Sequence, residues 1–157
     1  MELLQALSDW PVAAALRRSG IAYPLVNAAH ILSIGLLVGA IATLDLRILG
    51  MFRASALAEL AMPLRRVAAC GVASAAVTGF LLFSTRPLTY IENPAFLIKL
   101  GLVGLGVLNA ILLGCNRHWP PARAGAPIHW SLRLSAAVSL LVWAGAVVAG
   151  RWIGFLQ

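Results

Sequence analysis

The stretch YPLVNAAHILSIGLLVGAIATLDLRILG, Tyr23 to Gly50, decides how this chain is read. It is an almost unbroken apolar run, long enough for the ~20 residues that a helix needs to cross a bilayer's hydrocarbon. Yet it carries Asn27, His30 and Asp45. At roughly 100° per residue, Asn27, His30, Ile34, Ile41 and Asp45 share one face of a helix, with Gly35 and Gly39 nearly opposite. Such a helix needs partners on two sides. One side can face a bundle interior and the other a neighbouring helix or a second subunit, so a homo-oligomer is expected.

The rest of the chain has the same character. Of its 157 residues, 61% are hydrophobic and 11% charged, and the mean hydropathy is +0.92, against an apolar share of roughly half in soluble domains. Twelve basic and five acidic side chains cannot cover a water-facing surface of this size. This reads as an integral membrane protein with the lipid bilayer as its solvent. Apolar runs at about residues 22–46, 65–85, 94–116 and 129–150 each approach the length of a span. The links between them, FRASALAELAMP, RPLTYIENP and NRHWPPARAGAP, are short, polar or rich in proline and glycine, which favours antiparallel neighbours. The expected fold is therefore all-α: a four-span transmembrane helix bundle over residues 21–157, preceded by a short interfacial amphipathic helix within residues 1–20. In that first segment Ser8 or Asp9 can cap, Pro11 suits a first turn and Gly20 can terminate. Trp10 and the leucines are expected among the headgroups, with Arg17 and Arg18 at the phosphates. The segment has no basic start followed by a long apolar core and a cleavage site, so it does not read as a secretory signal.

The formal charge of +7 would suggest nucleic acid in a soluble protein. Here the arginines stand singly or in pairs between apolar runs, with no aromatic interleaving, so they read as membrane-edge anchors and no nucleic-acid partner is expected. Arg17, Arg18, Arg86, Lys99 and Arg151 fall on the side of the termini; Arg47, Arg53, Arg65, Arg66, Arg117, Arg123 and Arg133 fall on the other. Lys99 lies inside a span and is discounted. The balance predicts both termini outside, in the periplasm if the membrane is a bacterial inner membrane. Cys70 and Cys115 would then lie near reducing cytoplasm, and no structural disulfide is expected. Gly35 with Gly39, Gly71 with Ala75 and Gly79, and Ser131 with Ser135 and Ser139 recur every four residues, a spacing that marks helix contact faces.

His30 lies about eight residues into its span, or ~12 Å below the outer helix edge. Lys99, Thr78 and Trp143 count to the same layer, with Tyr23 and Tyr90 above them. Two readings stand side by side. A cluster of His30, Asn27, Tyr90 and Lys99 can hold an anionic or metal-bearing group, the imidazole serving as ligand or proton carrier and Lys99 with Tyr90 meeting a carboxylate such as a haem propionate. In the other reading, His30 bonds a backbone carbonyl or Asn27 while Lys99 snorkels to the headgroups. His118 and His129 belong to the opposite end, so one chain offers no second histidine at this depth. Asp45 and Arg47 mark the inner end of the first span, where Asn109 and Arg65 or Arg66 are expected to clamp them and keep the aspartate ionised.

The chain has no HExxH, phosphate-binding loop, GxSxG or CxxC, and no cysteine–histidine spacing suited to zinc. It is read as not being an enzyme by itself. Four spans without an internal repeat and with few polar lining residues also make a poor channel or transporter.

The first-helix stretch, together with TGFLLF at 78–83, NPAFLIK at 93–99, LNA at 108–110 and GRWIGF at 150–155, resembles an uncharacterised family of small bacterial four-helix membrane proteins with a His…DLR first helix. That family is distantly similar to the CopD-type copper-resistance membrane domain and to di-haem membrane cytochromes b. The resemblance implies His30 as a haem or metal ligand, haem b as cofactor and membrane electron transfer as the role. Some relatives of this kind carry a histidine shortly after LNA, where this chain has Gly114. The alternative is a non-catalytic accessory or scaffold subunit that packs in an oligomer or larger complex.

Overall fold

The computed structural model describes residues 2–155; Met1, Leu156 and Gln157, at the edges of the two expected segments, lie outside the described residues. Four long helices dominate: α3 (Ala22–Leu49), α4 (Leu57–Thr85), α6 (Pro94–Cys115) and α8 (Trp130–Trp152). Four shorter ones connect or flank them: α1 (Glu2–Asp9), α2 (Pro11–Arg18), α5 (Pro87–Glu92) and α7 (Trp119–Arg123), with a 3-10 turn at Ile153–Phe155. Among the described residues there is no strand. In the most apolar window of each long helix only 17%, 17%, 6% and 33% of residues are buried, the inverse of a water-soluble bundle, so the apolar exterior faces lipid. The chain is a multi-pass membrane protein with an all-α four-helix bundle.

Helix boundaries follow local chemistry. Gly50, at φ 111°, closes α3 in the left-handed conformation, and the Met51 amide reaches back to the Leu46 carbonyl at 2.9 Å, satisfying one of the carbonyls a helix end leaves open. Asn93 caps α6, its Oδ1 accepting from the amides of Ala95 and Phe96 at 3.0 and 3.4 Å while its Nδ2 donates to the Ile153 carbonyl at 3.3 Å. One buried amide thus ties the start of α6 to the end of α8.

The structure departs from the sequence reading at three connections. Helix α4 begins at Leu57 and runs through Pro63, where a polar connection was expected to reach. A proline this near the helix start forfeits only the bond to the Glu59 carbonyl, and buried Leu57 and Ala61 anchor the extra turns in the core. RPLTYIENP contains α5 and NRHWPPARAGAP contains α7, each opening on proline within its first turn, where a missing amide costs nothing. The first segment is two helices hinged at Trp10. Arg17 does not point to phosphates: it donates to Ser8 Oγ at 2.8 Å and to the Thr85 carbonyl at 2.9 Å, placing a cation on the C-terminal end of α4.

Helix α3 packs along α4 on one side and α8 on the other, and α6 packs along α8, so α8 lies between α3 and α6. Its buried residues Leu132, Ala136, Ser139, Trp143 and Ala146 recur at alternating four and three, the period of a packed helix seam. Two apolar clusters result. One, at the loop end, gathers Leu44, Ile48, Leu57, Ala61, Leu113, Trp119 and residues of α7 and α8; the other, nearer the termini, gathers Leu37, Trp143 and Ala146. The helices meet at glycines. A Cβ on Gly71 would lie 2.8 Å from the Leu37 amide nitrogen, and one on Gly106 would lie 2.7 Å from the Trp143 indole. By contrast, Gly35, Gly39, Gly101 and Gly104 have nothing within 4 Å of that position. Gly71→Val is expected to cost about 1–3 kcal/mol by overpacking the crossing, whereas Gly101→Ala leaves stability equal or higher; thermal unfolding in detergent measures both.

Candidate functional site

Seven residues back from Leu37 along α3 is His30, and seven forward from Gly71 along antiparallel α4 is Thr78. Seven residues are close to two helical turns, so the backbone crossing at Leu37 and Gly71 brings His30 and Thr78 face to face. His30 Nδ1 lies 2.9 Å from Thr78 Oγ1. That hydroxyl has one proton, which it donates to the Ser74 carbonyl at 2.7 Å. It therefore accepts from His30, and Nδ1 is the protonated nitrogen. The Ala75 carbonyl also faces the ring as an acceptor, which agrees with that tautomer. Gly79 makes room for the imidazole, since a Cβ there would stand 3.0 Å from His30 Cε1.

The other nitrogen, Nε2, keeps its lone pair and points to α6, where Lys99 Nζ lies 3.5 Å away. Lys99 reaches it over Gly150 of α8, whose absent side chain leaves the lysine stem its path: a Cβ there would be 3.5 Å from Lys99 Cδ. Among the described residues no carboxylate faces Lys99. The centre is thus a lysine and an imidazole in apolar surroundings with no acidic partner among the described residues. A hydrogen bond on Nδ1 that fixes the ring and frees Nε2 is the arrangement in which histidine serves as a ligand.

Of the four residues singled out from the sequence, His30 and Lys99 meet directly. Asn27, one turn before His30, is exposed and among the described residues makes no hydrogen bond to it. Tyr90 sits on α5, its ring packed on Phe83 and Phe96 at centroid distances of 6.2 and 5.3 Å, with Phe96 one turn from Lys99 along α6. Thr78, placed by depth alone, proves to fix the ring, and Gly79 and Gly150 make the space. Gly79 carried a signal in its four-residue repeat with Gly71 and Ala75; Gly150 carried none. Among the described residues, no three His, Cys, Asp or Glu side chains converge as a metal cage.

The clamp expected at the inner end does not form. Arg47 donates to the Ser55 carbonyl at 2.8 Å, Asn109 exchanges hydrogen bonds with Ser135 of α8 at 3.0 Å each, and Asp45 faces Ser139. The reason lies in packing order: α8, not α6, flanks α3 at this level. At the loop end His118 and His129 stack with ring centroids 3.7 Å apart. Arg117 Nε donates to His118 Nε2 at 3.2 Å, and the Ser131 amide donates to His129 Nδ1 at 3.2 Å. Cys70 and Cys115 are both free.

No family model matches the chain, and no curated protein or solved structure is significantly similar to it.

Two expectations follow from this geometry. Thr78→Val removes the acceptor from a partly buried Nδ1–H, so it is expected to lower stability by about 1–3 kcal/mol and to abolish the single Nδ1–H tautomer, read by nitrogen-15 NMR of His30. Partial desolvation in the stack, then His129 and Arg117, hold His118 below the usual histidine value. A group whose value falls on folding lends its stability above the unfolded value and loses it as pH drops through the folded one. The loop end is therefore expected to loosen as the medium is acidified below the ordinary histidine range, with His118→Ala flattening the pH profile of thermal unfolding.

Proposed function

We propose that this chain is a cofactor-carrying membrane protein of the bacterial inner membrane, with His30 as ligand to haem b or a haem-like metal group and membrane electron transfer as its role. The observation that supports it most is the fixed tautomer of His30, which presents Nε2 within the bundle beside a lysine that no protein carboxylate faces. Such a pair suits a group that is electrophilic at its centre and anionic at its edge. His30 Nε2 would hold the metal, Lys99 would meet a carboxylate of the group, and Thr78 would orient the ring; Tyr90 and Asn27 lie around this end of the bundle and could meet the group's rim. When bound, haem would supply the reversible one-electron chemistry. The protein's own part is to fix the imidazole, exclude water and offset anionic charge.

With no second histidine at this depth, the ligand set would be completed by His30 of a second copy or left five-coordinate. The resemblance to di-haem membrane cytochromes b and the CopD-type domain points the same way. The basic-residue balance supports periplasmic termini: seven arginines lie at the loop end against Arg17, Arg18, Arg86 and Arg151 at the other.

One observation favours a second reading. Both ring nitrogens of His30 find partners within the chain, as they would if the residue only locked helices together, and Gly35 and Gly39 lie open on the outer face of α3. That describes an accessory subunit docked to another membrane protein or to a second copy. The oxidised-minus-reduced visible spectrum of the detergent-purified protein, expressed with ample haem and paired with metal analysis, separates the two. The cofactor reading expects a Soret band with reducible α and β bands, lost in His30→Ala and weakened in Lys99→Ala. A colourless, metal-free protein would sink it and leave the accessory role.

A further inference from the structure

Asp45 is the most completely buried ionisable side chain among the described residues: 3% of its surface is exposed, and its Oδ2 has no hydrogen-bond partner. It lies between the two apolar clusters, facing Ser139 of α8. The charged groups of the surrounding helices turn elsewhere. On α3 itself Arg47 is engaged by the Ser55 carbonyl; Glu59, Arg65 and Arg66 of α4 and Arg133 of α8 are exposed; Lys99 of α6 is at the far end against His30. A carboxylate enclosed by apolar side chains and one hydroxyl lacks the countercharge that would keep it ionised, whereas a carboxylic acid is neutral there. A bound metal cation would want five or more oxygens, and Asp45 with Ser139 offers too few.

A way in exists. A groove of about 260 Å³ runs between α6 and α8 at the loop end, its polar lining made by Asn109, Asn116, Ser131 and Ser135. Asn116 Nδ2 donates to Ser131 Oγ at 3.2 Å, and Ser131 Oγ lies 2.9 Å from His129 Nδ1 at the mouth. Ser135 stands one helical turn from Ser139, about 6 Å along α8. Ser131 and Ser135 line the groove, and Ser139, next in the four-residue repeat, faces Asp45.

We propose that Asp45 is a proton-binding site inside the membrane, filled and emptied from the loop end along the α6–α8 groove. The step is an addition of H⁺ to a carboxylate oxygen and its loss to water, with no change of oxidation state. It stands apart from the His30 reading, since His30→Ala would leave it intact.

Infrared spectroscopy of the full-length protein in liposomes tests it. At neutral pH a protonated-carboxyl band is expected that is absent in Asp45→Asn, downshifts when the medium is changed to D2O, and exchanges severalfold more slowly in Ser135→Leu. Dicyclohexylcarbodiimide provides a second readout on the unaltered chain: the acid O–H adds across a C=N bond, oxygen to carbon and proton to nitrogen, so Asp45 is expected to be labelled at neutral pH and spared at alkaline pH. Absence of both band and label in the folded protein would show Asp45 ionised and overturn the proposal. A band that fails to exchange, or one that exchanges equally fast in Ser135→Leu, would overturn the route.

Discussion

The approach of α3 and α4 at Leu37 and Gly71 sets the register on which both polar centres depend. A side chain at Gly71 would collide with the backbone of α3, so the two backbones come close there, and antiparallel helices in contact stay in step at every second turn. Two turns toward the termini the same register delivers Thr78 to His30; two turns toward the loops it brings Leu44 and Leu64 into one cluster. In lipid there is no hydrophobic force to press helices together, so close backbone approach at small residues must supply the attraction. A larger residue at Gly71 would shift α4 along its whole length. His30 would then lose its acceptor two turns away.

The four spans were legible because the bilayer imposes a length and a composition that little else satisfies. Depth was legible for the same reason: counting from helix ends placed Lys99 and Thr78 level with His30, since each helix rises at a fixed rate. Azimuth was not. Which helix stands beside which is decided by packing that no single span encodes, so Asn109 was matched to Asp45 across a boundary where α8 in fact intervenes. Short helices α5 and α7 and the early start of α4 were hidden by their prolines, which mark a first turn as readily as a break. Tyr90 was read by height as a neighbour of Lys99, and the fold packs its ring on Phe83 and on Phe96, one turn from Lys99 along α6.

The two buried polar centres differ in what they lack. His30 and Lys99 form a cationic centre with no carboxylate, about 12 Å below one face; Asp45 and Ser139 form an acidic centre with no cation, nearer the other. Pairing Lys99 with Asp45 would have satisfied both at once, and the helix lengths forbid it: fifteen residues separate His30 from Asp45 on α3, roughly 22 Å at 1.5 Å per residue. A fold that needed only helix adhesion could have used serine and asparagine throughout, as it does where Ser135 meets Asn109. Retaining an uncompensated base and an uncompensated acid carries a continuing energetic cost in lipid.

Helix α8 connects the two. Its seam touches Lys99 at Gly150, buries Trp143 between the clusters and offers Ser139 to Asp45, so a displacement of α8 at either centre is felt at the other. The Trp143 indole fills the space that a side chain at Gly106 would need, and its Nε1 has no hydrogen-bond partner among the described residues. Binding of an anionic group at Lys99 would draw the lysine from Gly150 and relax the outer end of α8, while a change in the charge of Asp45 would alter its hold on Ser139 three turns below. Because α8 packs on both α3 and α6, it is an element through which a change in charge at the loop end could alter the environment of His30.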